Sequence, residues 1–172
     1  MLKRPVVSPQ LPALSPSKTL LSCYVINARS LPKNNAVQLL SCELNAIDGD
    51  VAAVTETWLS SRICNDYINI PGYNFFRQDR QRRKGGGVSV YVRETLRAEV
   101  ICTPSHDVGL QNGHELICVK IFKSAVTYIL VTVYHPPRPI YNPQDFIARL
   151  NDDIDYLTVT YPQSIGPTLF VW

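Results

Sequence analysis

Residues 20–55 read LLSCYVINARSLPKNNAVQLLSCELNAIDGDVAAVT, and this stretch determines the fold class. Residues 20–26 form a continuous apolar run typical of a buried strand. From about residue 34 to 47 the apolar positions recur at helical spacing, and Gly49 is suited to a left-handed cap that ends the helix. Residues 51–55 are a second buried strand. Strand, helix and strand in this order predict an α/β chain. The pattern is also compatible with a mixed sheet.

The rest of the chain predicts further strands and one further helix. Strands rich in Val, Ile and Tyr are expected at residues 73–77, 88–92, 98–102, 115–122, 127–134 and 168–172. Residues 123–125 could close a hairpin between two of these strands. Asn142 followed by Pro143 predicts a helix start, because Asn caps the first turn and Pro needs no N–H donor there.

Length and composition describe one globular domain. The 172 residues are 45% hydrophobic and 18% charged, which is ordinary for a globular protein. The sequence contains no run of about 18 apolar residues and no apolar secretion signal at its start, so neither a membrane span nor a membrane partner is predicted. Residues 1–18 are rich in Pro and Ser and are expected to be a disordered tail, with the domain occupying residues 19–172.

The cysteines indicate the redox environment in which the protein resides. There are five, they are widely spaced, and none forms a C-x-x-C pair that would indicate zinc. Several lie in apolar runs, where a free thiol packs as a small hydrophobic side chain. Free thiols are typical of a reducing environment, so we expect the nucleus or cytoplasm and not secretion.

Positive charge is concentrated in one short segment. The whole chain carries a net charge of only +3, yet five basic residues accompany a single Asp79 between positions 77 and 84. They are Arg77, Arg80, Arg82, Arg83 and Lys84. A basic loop on a nearly neutral body suggests contact with a polyanion, and the alternative is an ordinary solvated loop.

Three polar residues stand at the ends of apolar strand-like runs, where open α/β sheets place ligand-binding groups. Glu56 follows residues 51–55 and could bind Mg²⁺, which prefers one or two carboxylates, waters and phosphate oxygens. Asn27 could orient a phosphate or a carboxylate, and Tyr134 could donate its hydroxyl to a phosphate oxygen. The alternatives are a surface carboxylate, a turn-forming Asn and a strand-end aromatic residue.

The glycine run at residues 85–87 is not a phosphate-binding loop. It lacks the G-x-x-x-x-G-K-[ST] pattern and precedes a strand instead of a helix. We interpret it as a tight backbone bend into the strand that begins at Val88.

Five motifs together resemble a known enzyme superfamily. In chain order they are NARSL (27–31), VTETWL (54–59), FRQDRQRRKGGGVSVYV (76–92), ELICVKI (115–121) and VYHPP (133–137). Their order and spacing are similar to the endonuclease/exonuclease/phosphatase superfamily, and in particular to the apurinic-type endonuclease domain of non-LTR retrotransposons of the LINE class. The resemblance covers roughly residues 20–172.

The resemblance implies a fold, a chemistry and roles for residues. It implies the N-terminal half or more of a four-layer α/β sandwich, with mixed sheets flanked by helices. Asn27 then matches the family's first active-site asparagine, Glu56 its metal-binding glutamate and Tyr134 the tyrosine that contacts the scissile phosphate. Residues 77–84 fall where the family meets the DNA backbone. Family members hydrolyse phosphodiesters with Mg²⁺ or Mn²⁺ to nick a target strand, and a reverse transcriptase follows on the same chain.

The resemblance also implies incompleteness. The family's later Gly-Asp-Phe-Asn and Ser-Asp-His motifs, which orient water and act on the leaving group, do not occur in residues 1–172. The chain alone is therefore expected to be inactive or nearly so. The inner face of its first sheet is expected to lack a partner and to promote self-association. Two alternatives stay open: a phosphatase of the same superfamily, and a non-catalytic nucleic-acid-binding module that uses the basic loop.

Overall fold

A computed structural model describes residues 20–80, 84–101, 115–162 and 169–171, and in these ranges the strands form two four-stranded sheets. The first sheet has the order β1-β2-β4-β3 and consists of β1 (Cys23–Asn27), β2 (Val51–Thr55), β3 (Tyr73–Gln78) and β4 (Val88–Arg93). The second has the order β5-β6-β7-β8 and consists of β5 (Arg97–Ile101), β6 (Glu115–Lys123), β7 (Val126–Tyr134) and β8 (Leu169–Val171). The helices are α1 (Ala36–Ala46) and α2 (Pro143–Thr160), with a 3₁₀ turn at Asn65–Ile68. The expected tail, residues 1–18, lies outside the described residues.

Both sheets are mixed. β1 and β2 are parallel, because α1 crosses over between them, and β7 and β8 are parallel with α2 between them. The other pairs are antiparallel. The predicted mixed α/β class is therefore confirmed, and the predicted strands are present with bounds shifted by one residue or a few.

The layers follow from the alternation of side chains along each buried strand. Ala52 and Val54 of β2 pack beneath α1, whereas Val51 and Ala53 face the second sheet. There they meet valines of β4 and the inward side chains of β6 and β7, including Val119 and Leu130. The outer face of the second sheet packs against α2 through residues such as Phe146. The order of layers is helix, sheet, sheet, helix.

The expectation of an uncovered inner face is wrong for the described residues. Val88, Val90 and Val92 of the first sheet are fully buried against the second sheet. The expectation failed because the strands from β5 onward were not assigned to a second sheet on the basis of their sequence. The surface on which self-association was to depend is therefore already covered within one molecule.

The two helix ends differ in how well the sequence predicted them. Asn142 caps α2 as expected, and its side chain accepts a hydrogen bond of 2.9 Å from the amide of Gln144. At the end of α1 the left-handed residue is Asp48, with φ of 50°, and not Gly49 as predicted. The amide of Gly49 instead donates to the carbonyl of Leu44 at 2.8 Å, and a Cβ on Gly49 would lie 2.9 Å from the Leu44 side chain. Close packing requires this glycine.

A buried ion pair joins the two sheets at the end where β2 begins. Lys123 at the end of β6 contacts Asp50 with 2.6 Å between Nζ and Oδ2, and it also donates to the carbonyl of Leu20. Ser22 donates to the same carboxylate from its amide and its hydroxyl. Burial alone would raise the pKa of Asp50, but the hydrogen bonds from Lys123 and Ser22 outweigh it, and the pKa lies below its ordinary value.

This ion pair predicts a pH-dependent stability. Because the folded pKa of Asp50 is lowered, its stabilisation is complete above the ordinary aspartate pKa of about 3.9 and is lost as the pH falls through the folded value. We expect Asp50→Asn to lower the free energy of unfolding by about 2 kcal/mol at neutral pH. The difference from the parent should shrink below about pH 4. Urea denaturation at several pH values measures this difference in the free energy of unfolding, and Asp66→Asn, at an exposed position, is the control. A pH-independent difference would contradict the assignment.

No helix in the described part of the chain is both long enough and apolar enough to cross a membrane.

Candidate active site

The topology brings five strand ends to one rim of the molecule. β1 and β2 are parallel, so Asn27 and Thr55 are register partners at their common end. β4 is antiparallel to β2 and therefore begins there, with Val88 opposite Thr55. In the second sheet the first residue of β6, Glu115, is the register partner of the last residue of β7, Tyr134. We use the name site rim for the residues at these ends, which are Asn27, Glu56, Glu115, Tyr134 and the glycine run 85–87.

Glu56 is the centre of the site rim. Its carboxylate accepts a hydrogen bond from the Tyr134 hydroxyl, another from the Asn27 amide, and a third from Trp58 with 3.2 Å between Nε1 and Oε2. The bond from Tyr134 is the main reason why the pKa of Glu56 lies below its ordinary value, and Arg29 adds a favourable charge. Glu56 is therefore anionic at neutral pH, as a metal-binding carboxylate must be.

Tyr134 is held as a hydrogen-bond donor. Burial and the neighbouring Glu56 raise its pKa to about 12, so its hydroxyl keeps the proton at neutral pH. The guanidinium of Arg80 lies over its ring, with 5.6 Å between Cζ and the ring centroid. The structure thus brings the three residues predicted from the sequence together, because Asn27 and Tyr134 both contact Glu56, and their shared role stays a prediction.

The backbone at the end of β2 is strained. Glu56 and Trp58 have φ values of 51° and 56°, a region that residues other than Gly, Asn and Asp seldom adopt. The strained segment is fixed from two sides. Its carbonyls accept from the amides of Ser30 and Leu31, and its amides donate to Gly86 and Gly87. Strain of this kind costs about 1–3 kcal/mol per residue and is concentrated at functional sites.

A buried ion pair supports the site rim from beneath. Arg80 and Glu115 have side chains only 10% and 2% exposed, and Nε of Arg80 lies 2.5 Å from Oε1 of Glu115. The other carboxylate oxygen accepts from the amide of Gly87. The pair links the loop after β3 to the start of β6 and places Arg80 against Tyr134.

The glycine run makes this packing feasible. Gly85, Gly86 and Gly87 all have positive φ, and they lead directly into β4, as the sequence predicted. A Cβ on Gly86 would overlap the Arg80 guanidinium and the Glu115 carboxylate. The run is therefore a close-approach element that accommodates the ion pair.

Solved structures share this architecture, although no protein-family model and no curated protein matches the chain. The endonuclease domain of TRAS1, a telomere-specific non-LTR retrotransposon, matches with a TM-score of 0.56 and 18% identity over 84% of this chain and 56% of its own. An AP endonuclease from Archaeoglobus fulgidus matches with a TM-score of 0.55 and 16% identity over 82% and 52%. The chain has the endonuclease/exonuclease/phosphatase fold. D. rerio TDP2 complexed with a single-strand DNA product also matches, with a TM-score of 0.53 and 18% identity over 87% and 58%.

This chain spans little more than half the length of each of these three proteins, at 52–58%. Identities of 16–18% establish the fold and leave the activity to be argued from the site.

The basic loop is only partly a free surface within this fold. Arg77 is held by the carbonyls of Ser60 and Ile63 and by Asp79, at 3.0–3.1 Å. Arg80 is bound to Glu115, and its Nη2 atom is buried with no acceptor in the described part of the chain. Lys84 is exposed, and Arg82 and Arg83 lie outside the described residues. The role of the loop at the DNA backbone stays a prediction.

Metal binding also stays a prediction. The described residues contain no cluster of three or more His, Cys, Asp or Glu side chains placed to hold an ion. Glu56 is the rim carboxylate that an ion could reach, because Glu115 is buried and bound to Arg80 and Gly87. One carboxylate and one amide suit Mg²⁺, which keeps several waters and binds substrate phosphate.

Sequence reasoning missed Glu115 and Trp58. Glu115 was identified only as the start of a strand, and its pairing with Arg80 spans 35 positions. Trp58 was part of a motif but was given no role. Trp58 could have been identified because it lies only two positions after Glu56, whereas no local signal marks Glu115, whose contact with Arg80 depends on the fold.

Proposed function

We propose that this chain carries the metal- and phosphate-binding part of a phosphodiester hydrolase, of the DNA endonuclease type found in non-LTR retrotransposons. One observation carries the proposal: an anionic Glu56 at the end of β2 is hydrogen-bonded to both Tyr134 and Asn27. The TRAS1 and AP endonuclease domains that share the fold support the nuclease class. The TDP2 structure with a DNA product supports DNA as the substrate class.

Glu56 would hold the divalent cation, Mg²⁺ or Mn²⁺, together with waters and a phosphate oxygen. When bound, the cation polarises the phosphate and offsets the negative charge that develops during hydrolysis. Asn27 fixes the carboxylate through its amide and is itself fixed, because its Oδ1 accepts from the amide of Arg29 at 3.2 Å. The low pKa of Glu56 ensures that no proton competes with the cation at neutral pH.

Tyr134 would bind the phosphate that is cleaved. Its hydroxyl stays protonated and can turn from Glu56 to a non-bridging phosphate oxygen without moving the strand. Arg80 adds a positive charge beside the ring, which favours a phosphate there. Arg29 and Lys84 are exposed cations in the two loops that flank Glu56 and are suited to neighbouring phosphates.

Metal titration tests the proposal on the chain itself. We expect calorimetry to detect one Mn²⁺ site in the parent and a weakening of about tenfold or more in Glu56→Gln, because the amide keeps the hydrogen bond from Tyr134 but loses the charge. Exposed Glu94→Gln is the matched control and should bind as the parent does. Equal Mn²⁺ affinity in Glu56→Gln would refute the site.

Plasmid nicking gives a second readout on the same proteins. Any nicking by the purified chain should require Mg²⁺ or Mn²⁺ and should disappear in Glu56→Gln. DNA binding without any Glu56-dependent Mn²⁺ binding would instead favour the non-catalytic nucleic-acid-binding module.

A further inference from the structure

Trp58 is the exposed aromatic side chain that lies directly beside the candidate catalytic carboxylate. It is 45% exposed, whereas its neighbours Thr57 and Leu59 are buried. Its Nε1 donates to Oε2 of Glu56 at 3.2 Å, so the indole and the carboxylate have a fixed relative position. A bulky apolar residue at this place is not explained by packing, because nearly half of its surface faces solvent.

The indole is held rigidly although it is exposed. Its backbone amide donates to the carbonyl of Gly86 at 2.8 Å, and the residue adopts a strained φ of 56°. A Cβ on Gly85 would lie 3.4 Å from Nε1, in ordinary van der Waals contact, so the indole packs beside the glycine run. A strained conformation that presents a large aromatic side chain to solvent indicates a binding role, because strain persists only where the surroundings enforce it.

One cation lies against the same ring, and two more lie in the neighbouring loops. The ammonium group of Lys33 lies over the ring with 5.4 Å between Nζ and the centroid, and Lys33 is itself exposed. Arg29 and Lys84 lie in the loops on either side of the strained segment. An aromatic surface flanked by cations matches a nucleic-acid strand, since the bases offer π-faces and the backbone offers phosphates.

We propose that Trp58 is a stacking platform for an unpaired DNA base adjacent to the phosphate bound at Glu56. The inference rests on the proposed function, because Glu56 sets where the phosphate lies. Only a base whose face is free can stack on the indole, since the bases inside a duplex already stack on both faces. The ligand class is therefore single-stranded or locally opened DNA.

Fluorescence of Trp58 itself tests the proposal. The chain has two tryptophans, so Trp172→Phe leaves Trp58 as the only one. In that background, with EDTA present so that no hydrolysis occurs, we expect oligothymidylate to quench the emission. Inorganic polyphosphate, which carries the charge but no bases, should bind without quenching. Equal effects of the two polyanions, or no binding of oligothymidylate, would overturn the proposal.

Variants separate stacking from the hydrogen bond to Glu56. Anisotropy of a labelled oligothymidylate should show roughly 5- to 100-fold weaker binding for Trp58→Leu. Trp58→Phe keeps an aromatic face but loses Nε1, and it should bind nearly as the parent does. Tyr156→Leu, which removes an aromatic side chain on the outer helix α2, is the matched control. Parent-like binding by Trp58→Leu would also overturn the proposal.

The two proposals fail in different ways. Glu56-dependent Mn²⁺ binding without Trp58 quenching would retain the hydrolase site and reject the stacking platform. Quenching without Mn²⁺ binding would retain the platform and reject the hydrolase.

Discussion

Replacing Glu115 with leucine is expected to lower the free energy of unfolding by about 3–5 kcal/mol, because the change leaves the guanidinium of Arg80 buried without its partner. The Arg80 side chain is only 10% exposed, so water cannot replace the lost carboxylate. The amide of Gly87 loses its acceptor as well. Urea denaturation of the parent and Glu115→Leu measures the difference.

A double variant shows whether the loss comes from the unpaired charge. Burial raises the pKa of Glu115 even though Gly87 and Arg80 lower it, so the charged pair itself adds little net stability. We therefore expect Arg80→Met with Glu115→Leu to recover part of the loss, leaving about 1–3 kcal/mol for the unsatisfied amide of Gly87. Additive losses in the double variant would show that the two residues do not act as a pair.

The second large loss of stability is expected for Gly86→Ala. Gly86→Ala places a Cβ on the Arg80 guanidinium and the Glu115 carboxylate, and it forces alanine to a φ of 67°. The left-handed conformation alone costs roughly 1–2 kcal/mol, and displacement of the buried pair adds to it. We expect a total loss above about 3 kcal/mol, together with loss of any Mn²⁺ binding, because the support of Tyr134 moves.

Gly72 provides a matched control for this effect. It has a similar φ of 84°, but a Cβ there would have no atom within 4 Å. Gly72→Ala should therefore lower the free energy of unfolding only by the cost of the left-handed conformation, roughly 1–2 kcal/mol, and should retain Mn²⁺ binding. If Gly86→Ala and Gly72→Ala were equally stable, close packing of the glycine run against the ion pair would be excluded.

The elements that the sequence predicted well are those with local signals. Residues 51–55 could be recognised as a buried strand because both faces of β2 are apolar and both are covered. The start of α2 could be recognised because Asn142 and Pro143 act on their own first turn. The end of α1 was less predictable, since packing against Leu44 and not local conformation selects the glycine.

Pairings between distant segments could not be predicted. β4 inserts between β2 and β3, and the alternation of its side chains would suit several other positions in a sheet. For the same reason, the sequence did not reveal that Glu115 approaches Arg80. An arginine in a basic run usually faces solvent, and its burial depends on a carboxylate 35 positions away. Asn27, Glu56 and Tyr134 were predictable because each ends its own apolar run.

The separation of the rim residues along the chain determines when the site can form. The bond between Glu56 and Tyr134 spans 78 positions, and such non-local contacts are made late, after the cost in loop-closure entropy has been met. At synthesis rates of about 5–20 residues per second, Tyr134 leaves the ribosome roughly 4–16 s after Glu56. During that interval the strained end of β2 lacks the Tyr134 hydroxyl that binds Glu56. The rim thus becomes ordered only after residue 134 has been made, even though Asn27 and Glu56 are made early.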